Sequence, residues 1–502
     1  MLKQLISIFS ICFLTGLYSF GQSSFEIIIN NDKNEYLICG KKDYSGSFVL
    51  TGTSQEYINK IREKQYSALI VKVDTLGQYI TSTLQFSDTN CSLLNVIVTA
   101  DSNYLFTGYI REIDADSNQL WLYKTDRLLN KIWEKRFRIP LDSGYTRCRF
   151  TSYGTEDNQG NLVLAAMASY LQSNQDDMVL IKVNQQGEVL LSKQFHYEFT
   201  QAIVDLLTVP NSSDIILISN HISIYGYQTR FIRMDSALNV KSILPVDSSM
   251  YMYEIIGTVD YWINDSLFMY CGHYSGVEGR AQNDEISVSL INDSCVVQKE
   301  VILGRPDTLD YPAYTNCMSY LNDTSVFIGG FVNALSFFPE TPNVLDVYRL
   351  DTQLNVLGRT SFSNDAFYNL YGIIAANDGG CILYGGRYGP ENNLENDIFV
   401  VKFSPNDFTV SINEFSKMDS EFGVVVFPNP TRGILHINLP PAIFLEKKDV
   451  RIYNSQGKIV RTRTSQSSKQ IQIDCRSLPS GIYLYAIFVG NKKMKQGKFV
   501  KE

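Results

Sequence analysis

The 502-residue chain is poor in the side chains and signatures that carry most enzyme chemistry. It has four histidines, His196, His221, His273 and His436, each isolated in sequence, so no run offers the ligand spacing of a metal site. No G-x-S-x-G elbow, P-loop or dinucleotide fingerprint occurs, and no S-x-D-x-G-x-T-W box. Those absences remove the motif-borne routes to acyl transfer, phosphoryl transfer and hydride transfer. Charge is sparse as well: 19% of residues are charged, the net charge is −8, and acidic residues are scattered. With no basic face to meet a phosphate backbone, nucleic acid is not an expected partner. Beyond the first 22 residues no apolar run is long enough to cross a bilayer as a helix.

What is abundant is strand-forming material. The chain is 12% aromatic, with 31 Tyr, 28 Phe and 32 Gly, and Val, Ile and Thr recur in short clusters, the composition of an all-β protein. At its start, MLKQLISIFSICFLTGLYSFGQ has one early cation at Lys3, an apolar core from Leu5 to Leu17 and small or polar residues after Ser19. That is the layout of a signal peptide over residues 1–21, cut near Gly21. Cys12 lies in the middle of the apolar core, which argues against a lipid anchor there. Eight cysteines remain after processing: Cys39, Cys91, Cys148, Cys271, Cys295, Cys317, Cys381 and Cys475. An even number in an exported chain permits disulfides, yet there is no CxxC and the spacings are wide, so buried free thiols are expected.

Repetition organises residues 24–411. A polar turn followed by an apolar run and a small residue occurs seven times, the runs closing at Gly40, Gly108, Ala166, Ser219, Gly272, Gly330 and Gly385. Each is followed by a Lys-x-Asp-like module whose polar residue falls at Asp74, Asp126, Asn184, Asp235, Asn292, Asp351 and Ser404, a mean step of 55 residues. Short alternating runs between regular turns are strands. Seven four-strand units, each too small to bury its own faces, are expected to pack radially as a seven-bladed β-propeller. In the first unit the four strands would begin with Phe25 to Ile29, Lys41 to Tyr66 would be an insertion holding an extra hairpin, and Cys39 and Cys271 would occupy equivalent places. The fifth unit, with Ser289-Leu290-Ile291-Asn292, lacks the Lys. The small residues suit a place where blades approach closely. Each Asp opens a turn by accepting from backbone two residues on, with Gly77 or Gly187 at positive φ. This stretch resembles repeat proteins whose blades carry D-G-G, a hydrophobic run ending in Gly, and then Lys-hydrophobic-Asp, most clearly at Asn377 to Asp407.

Chemistry could hide in few places. Asp176-Asp177, Asp284-Glu285 and Asp397 precede or open the Lys-x-Asp strand, and acid pairs at strand mouths serve as acid and base in glycosidases. Ser67, Gln119 and Gln228 hold the same place in other repeats, so position alone accounts for the acids. Asp114 to Asn118 starts like a calcium loop but lacks its Gly and closing Glu. Phe337-Phe338-Pro339 forms an aromatic loop that either binds or covers a blade edge. No catalytic, cofactor-binding or metal-binding residue is assigned, and no cofactor is expected.

After a polar linker, Ile412 to Gly423, the tail 424–502 again alternates, with turn signals at Asn429-Pro430, Asn454 to Gly457 and Pro479 to Gly481. This is the pattern of a small antiparallel sandwich, here expected to be immunoglobulin-like. The tail resembles the type A C-terminal sorting domain of the type IX (Por) secretion system. The resemblance rests on Pro428, Asn429 and Pro430 with Thr431 and Gly433, Val450 to Tyr453 with Gly457, then Pro479, Gly481 and Tyr483, and Lys492, Lys493, Lys495 and Lys498 near the end. It implies export through the periplasm, recognition by the translocon, removal of the tail by a sortase-like peptidase, and release or attachment to surface lipopolysaccharide. Two functions are then open for the propeller: a binding module for an extracellular glycan or protein, or a secreted polysaccharide hydrolase or lyase. Convergent carboxylates with an Arg or Tyr in the central channel would favour the enzyme.

Overall fold

The computed structural model describes residues 24–408 and 425–501, with internal breaks of which the longest are 58–63, 246–256, 276–283, 333–342, 390–395 and 439–446. The signal peptide, the linker, Asp114 with Asp116, and Phe337-Phe338 lie outside the described residues. Two compact units separate, Met1–Thr409 and Val410–Glu502.

In the first unit the described strands form seven sheets that follow one another in chain order, each antiparallel and four strands wide. Sheet 1 runs Asn34–Lys42, Phe48–Tyr57, Lys64–Val73 and Tyr79–Leu84. In sheet 6 the first strand is split into Asp310–Pro312 and Met318–Asn322, both paired with Ser325–Val332. First strands of successive sheets lie side by side, and that of sheet 7 (Phe367–Ala375) lies beside that of sheet 1. The result is a propeller-like ring. Its core is a series of inter-sheet layers, such as Cys39, Val49 and Ile70 of sheet 1 against Leu93, Phe106 and Trp121 of sheet 2. Single sheets could not bury both faces, so stacking supplies the hydrophobic stabilisation.

The repeat was shifted at its start. Phe25–Ile29 does not open sheet 1; it pairs with Asn396–Phe403 as the fourth strand of sheet 7. Residues 41–66 are therefore no insertion, because Phe48–Tyr57 is the ordinary second strand of sheet 1. The counterpart of Gly108 is Gly52, and Gly40 and Cys39 belong to a first strand, whereas Cys271 lies on a second strand. Sheet 5 is as regular as the others despite lacking the Lys. All eight described cysteines are buried, and no disulfide joins them.

At Gly108 and its counterpart Gly52 the small residue answers to a bulge inside the sheet, whereas a Cβ on Gly330 would lie 2.3 Å from Ile286 of the neighbouring sheet 5, a close approach between repeats as expected. Gly52 and Gly108 sit opposite register shifts at Leu37/Cys39 and Leu93/Asn95 of the adjoining first strand. A Cβ on Gly52 would lie 2.0 Å from the Tyr36 carbonyl oxygen, and one on Gly108 1.9 Å from that of Ser92. A β-bulge pushes one carbonyl towards the partner strand, and only a residue without a side chain tolerates it there.

The Asp turns are as expected. Asp74 Oδ1 accepts from the amides of Leu76 and Gln78, and Asp235 from those of Ala237 and Asn239. The position after the turn has positive φ at Gly77 and Gly187, but also at Leu129, Leu238, Cys295 and Leu354. There the paired turn enforces a conformation that Leu would otherwise avoid.

The repeated Lys has a second task. Lys182, on the third strand of sheet 3, pairs with Asp157 in the first hairpin turn of its own sheet at 2.7 Å. It also donates to the Ser236 carbonyl of sheet 4 at 3.1 Å. Lys72 likewise reaches Asp43 and the Arg127 carbonyl of sheet 2. Each such cation therefore joins a turn of its own sheet to a turn of the next.

The second unit is a sandwich. Val425–Phe427, Ile434–Asn438 and Gln470–Asp474 form one sheet; Ile459–Gln466, Lys447–Tyr453, Gly481–Val489 and Lys492–Lys501 form the other. Leu435, Ile437 and Ile473 of the first meet Val450, Ile452, Ile487 and Phe499 of the second.

Candidate functional site

Within the first unit, one end of the ring carries the short hairpin turns that follow strands one and three. The opposite end carries the connections between strands two and three and between sheets, and variable connections on a rigid scaffold are where binding usually resides. The third strands begin at this end, so Asp176-Asp177, Asp284-Glu285 and Asp397 all open there. Asp397 is buried and pairs with Arg387 at 3.2 Å, an internal ion pair.

Asp177 is different. It is the second residue of the third strand of sheet 3, only 1% of its side chain is exposed, and three elements converge on it. Tyr145, first residue of the sheet, donates its hydroxyl to Asp177 Oδ2. His196, just past the last strand, places Nδ1 2.5 Å from the same oxygen, and Gln194 Nε2 lies at 3.3 Å. On its far side, His196 Nε2 is 2.7 Å from Asp142 Oδ2, in the segment entering the sheet. Asp177 Oδ1 is buried and has no hydrogen-bond partner among the described residues. Tyr170 packs edge-on against Tyr145 at 5.0 Å, and Arg149 pairs with Asp176.

The electrostatics follow from those contacts. The hydrogen bond to Asp142, partly opposed by burial and reinforced by Asp177, raises the pKa of His196 above its ordinary value. Burial, then the bond to Asp177, pushes the Tyr145 phenol well above its usual range. The His196 ring is thus held between the carboxyl groups of Asp142 and Asp177, with the Tyr145 hydroxyl bonded to the same Asp177 oxygen. That geometry does not build a two-carboxylate glycosidase, because the imidazole fills the space that a water or sugar ring would need between the acids.

A second feature lies on the first strands of sheets 1 and 7 and in the segment between the two halves of the first strand of sheet 6. Half-buried Tyr36 stacks on Tyr371 with centroids 5.8 Å apart, and Tyr371 in turn meets Tyr314 at 5.4 Å. The Tyr36 hydroxyl accepts from Gln55 Nε2 at 3.2 Å. The central strands thus present aromatic and amide groups as well as aliphatic ones. His273 is buried and stacks on Tyr311 at 4.5 Å. In the sequence Asp177 stands in an acid pair and His196 is an isolated histidine, while Tyr145 and Asp142 carry no local signature; only folding joins the four.

Of the sorting-signal residues, Pro428, Asn429 and Pro430 lie outside the described residues. Thr431 bridges to Lys501 of the last strand, its amide donating to the Val500 carbonyl at 2.8 Å. The Gly433 carbonyl accepts from the Cys475 amide at 2.7 Å. Gly457 has φ +74° in a turn closed by Asn454. Tyr483 donates its hydroxyl to the Pro479 carbonyl at 2.9 Å, fixing the turn that precedes Gly481. The backbones of Lys492 and Lys493 open the terminal strand opposite Val489 and Phe488.

Residues 425–502 match the secretion system C-terminal sorting domain family, and this tail is a type IX sorting domain. A funoran endo-beta-hydrolase of Wenyingzhuangia aestuarii is 25% identical over 131 residues, 26% of this chain and 17% of that protein's length. Among solved structures, a fungal alcohol oxidase of the AA5 family in complex with copper aligns over 96% of this chain and 99% of its own, at 10% identity and a TM-score of 0.46. A Penicillium chrysogenum alpha-L-arabinanase aligns over 77% and 99% at 10% identity and 0.41, and an ulvan lyase of family PL25 over 62% and 78% at 10% and 0.42. The sorting tail indicates export, to the cell surface or the medium. Among the described residues no helix is long and apolar enough to cross a membrane.

Proposed function

We propose that this protein, routed outward by its sorting tail, is a glycan-binding module whose ligand lies across the connection-bearing end of the ring. The observation that carries the reading is the aromatic chain of Tyr36 and Tyr371 on adjoining first strands and Tyr314 beside them. Tyrosine offers a rigid apolar face with a polar rim, which suits a sugar ring. The ring itself is read as a seven-bladed β-propeller, supported by the seven sheets and by the N-terminal strand completing the seventh. The tail is read as an immunoglobulin-like sandwich that engages the translocon after passage through the periplasm and is removed by a sortase-like peptidase, leaving the ring released or attached to lipopolysaccharide. The domain limits are taken as 24–411 for the ring, 412–423 for the linker and 424–502 for the tail.

The hydrolase or lyase reading has one observation in its favour, the Asp142–His196–Asp177–Tyr145 constellation. Its filled centre supports recognition over hydrolysis. The test is a glycan-binding screen of the full secreted protein beside Tyr36→Ala and Tyr371→Ala, with product analysis by mass spectrometry. Binding that weakens in both variants without product supports the module. Product formed by the wild type refutes it.

A further inference from the structure

We propose that the hairpin end of sheets 1 and 2 docks on an anionic lipid bilayer through the turn residues Tyr44, Leu76 and Leu128, with Arg127 and Lys131 beside them.

The turn after each third strand constrains some of its positions and leaves one open. In sheets 1 and 2 the first residue, Asp74 or Asp126, accepts from backbone amides two and four places on, and the fourth, Gly77 or Leu129, takes the positive φ. The third residue lies at the tip; from sheet 1 to sheet 6 it is Leu76, Leu128, Gln186, Ala237, Ser294 and Gln353. Among these six, only sheets 1 and 2 place a large apolar side chain there, and Leu76 is 65% exposed and Leu128 75%. Turn closure does not call for leucine, since the other four turns close without it, and at such exposure core packing does not either. Tyr44, in the first hairpin turn of sheet 1, is 68% exposed, and Tyr79 and Ile132 at the start of the fourth strands are exposed too.

Lys72 gathers these turns. It pairs with Asp43, which opens the Tyr44 turn, at 3.5 Å, and donates to the carbonyl of Arg127, next to Leu128, at 2.8 Å. The Leu76 turn begins two residues beyond Lys72. Asp43 accepts from the amides of Ser45 and Ser47, as Asp74 and Asp126 do within their own turns. Tips already held in place lose little freedom when a partner arrives.

Charge selects the partner. Arg127 is exposed, and Lys131, which meets Glu134 at 3.4 Å, keeps 55% of its side chain exposed. Leucine tips with tyrosines and cations beside them suit the boundary of a bilayer: leucine reaches the acyl region, tyrosine sits at headgroup level, and Arg and Lys meet lipid phosphate. A second copy docked through the same face would set Arg127 and Lys131 near their own counterparts, which like charge opposes. Docking by the hairpin end turns the connection-bearing end away from the lipid, although the proposal does not depend on what that end binds.

The test is co-sedimentation of the full secreted protein with vesicles of phosphatidylcholine, alone or with about one third phosphatidylglycerol. The double variants Leu76→Ser with Leu128→Ser and Arg127→Gln with Lys131→Gln are run beside the wild type, with thermal melting and sedimentation velocity. All four side chains are on the surface, so melting should not change. Binding is expected to favour the anionic vesicles, to fall about tenfold or more in the leucine pair and about fivefold or more in the cation pair, and to weaken with salt. Absence of binding, equal binding to both vesicles, or binding unchanged in either pair overturns the proposal. A wild-type dimer that the leucine pair dissociates identifies a self-association face and overturns it as well; each of these outcomes leaves the glycan reading standing.

Discussion

Lys402 on sheet 7 donates to the carbonyl of Thr75 on sheet 1 at 3.4 Å while pairing with Asp378 of its own sheet at 2.5 Å. The last repeat is thus fastened to the first by the same cation that joins sheet 3 to sheet 4 through Lys182 and Ser236. The Lys-x-Asp motif combines two devices: its Asp closes a hairpin, and its Lys ties consecutive sheets.

Breaking a buried copy of this tie is expected to be costly. Lys182 and Asp157 have 7% and 4% of their side chains exposed, so Lys182→Met strands a buried carboxylate and should destabilise by roughly 3–5 kcal/mol. Lys124→Met is the control, because its partner Asp101 is 51% exposed, and should cost about 1 kcal/mol or less. Urea denaturation of both variants measures the difference; equal losses would contradict it.

Acid should loosen the ties and alkali the sheet 3 mouth. Burial opposes ionisation of Asp157, but Lys182 and the Asn161 and Gln159 groups outweigh it and hold its pKa down; burial of Asp214 is likewise outweighed by Lys241 and Arg233. A depressed carboxyl stabilises the fold above its unfolded pKa of about 3.9, and that contribution is lost as pH falls through the folded value. His196 has the opposite sign: its contribution is complete below about pH 6.5 and fades as pH rises through its raised folded value. Melting temperature followed from pH 3 to 9 should fall at both ends, and His196→Gln should flatten only the alkaline limb.

Opposite the bulge, size is decisive. Gly108→Ala would place a Cβ 1.9 Å from the Ser92 carbonyl oxygen and should cost about 3 kcal/mol, the upper end of overpacking. Gly457→Ala meets nothing within 4 Å and carries only the left-handed backbone cost of about 1 kcal/mol. Comparing the two in chemical denaturation separates crowding from backbone strain.

Removing residues 24–29 should expose the edge of Asn396–Phe403, which pairs with Phe25–Ile29 in the intact protein. Hydrogen exchange should rise across 381–403 and stay unchanged across 145–195. A uniform rise would show that the strand supports the whole ring instead of one sheet.

Deleting residues 425–502 removes the sorting domain and should abolish appearance of the protein at the cell surface or in the medium, with the ring retained in the periplasm. Fractionation with an antibody to the ring reads the outcome. Undiminished export would refute the assigned role of the tail.

Local chemistry was legible from the chain itself. The seven Asp, Asn and Ser positions after the third strands are set by turns that close within five residues, so their step of about 55 residues announced the repeat. The sorting tail was legible for the same reason, through turn residues and terminal lysines in fixed order. Pairings across long separations were not. Phe25–Ile29 has the alternation of any strand, and only ring closure across some 370 residues decides that it completes sheet 7. Gly108 reads in the sequence as a close approach between repeats, but what crowds it is the Ser92 carbonyl of a bulged first strand, and a bulge is a property of two strands in register. His196, Asp177, Tyr145 and Asp142 stand up to 54 positions apart, and no spacing rule links them. Sequence determined the repeat unit and the route of export; tertiary structure decided which side chains share a mouth, because that depends on how strand ends from separate hairpins are brought together.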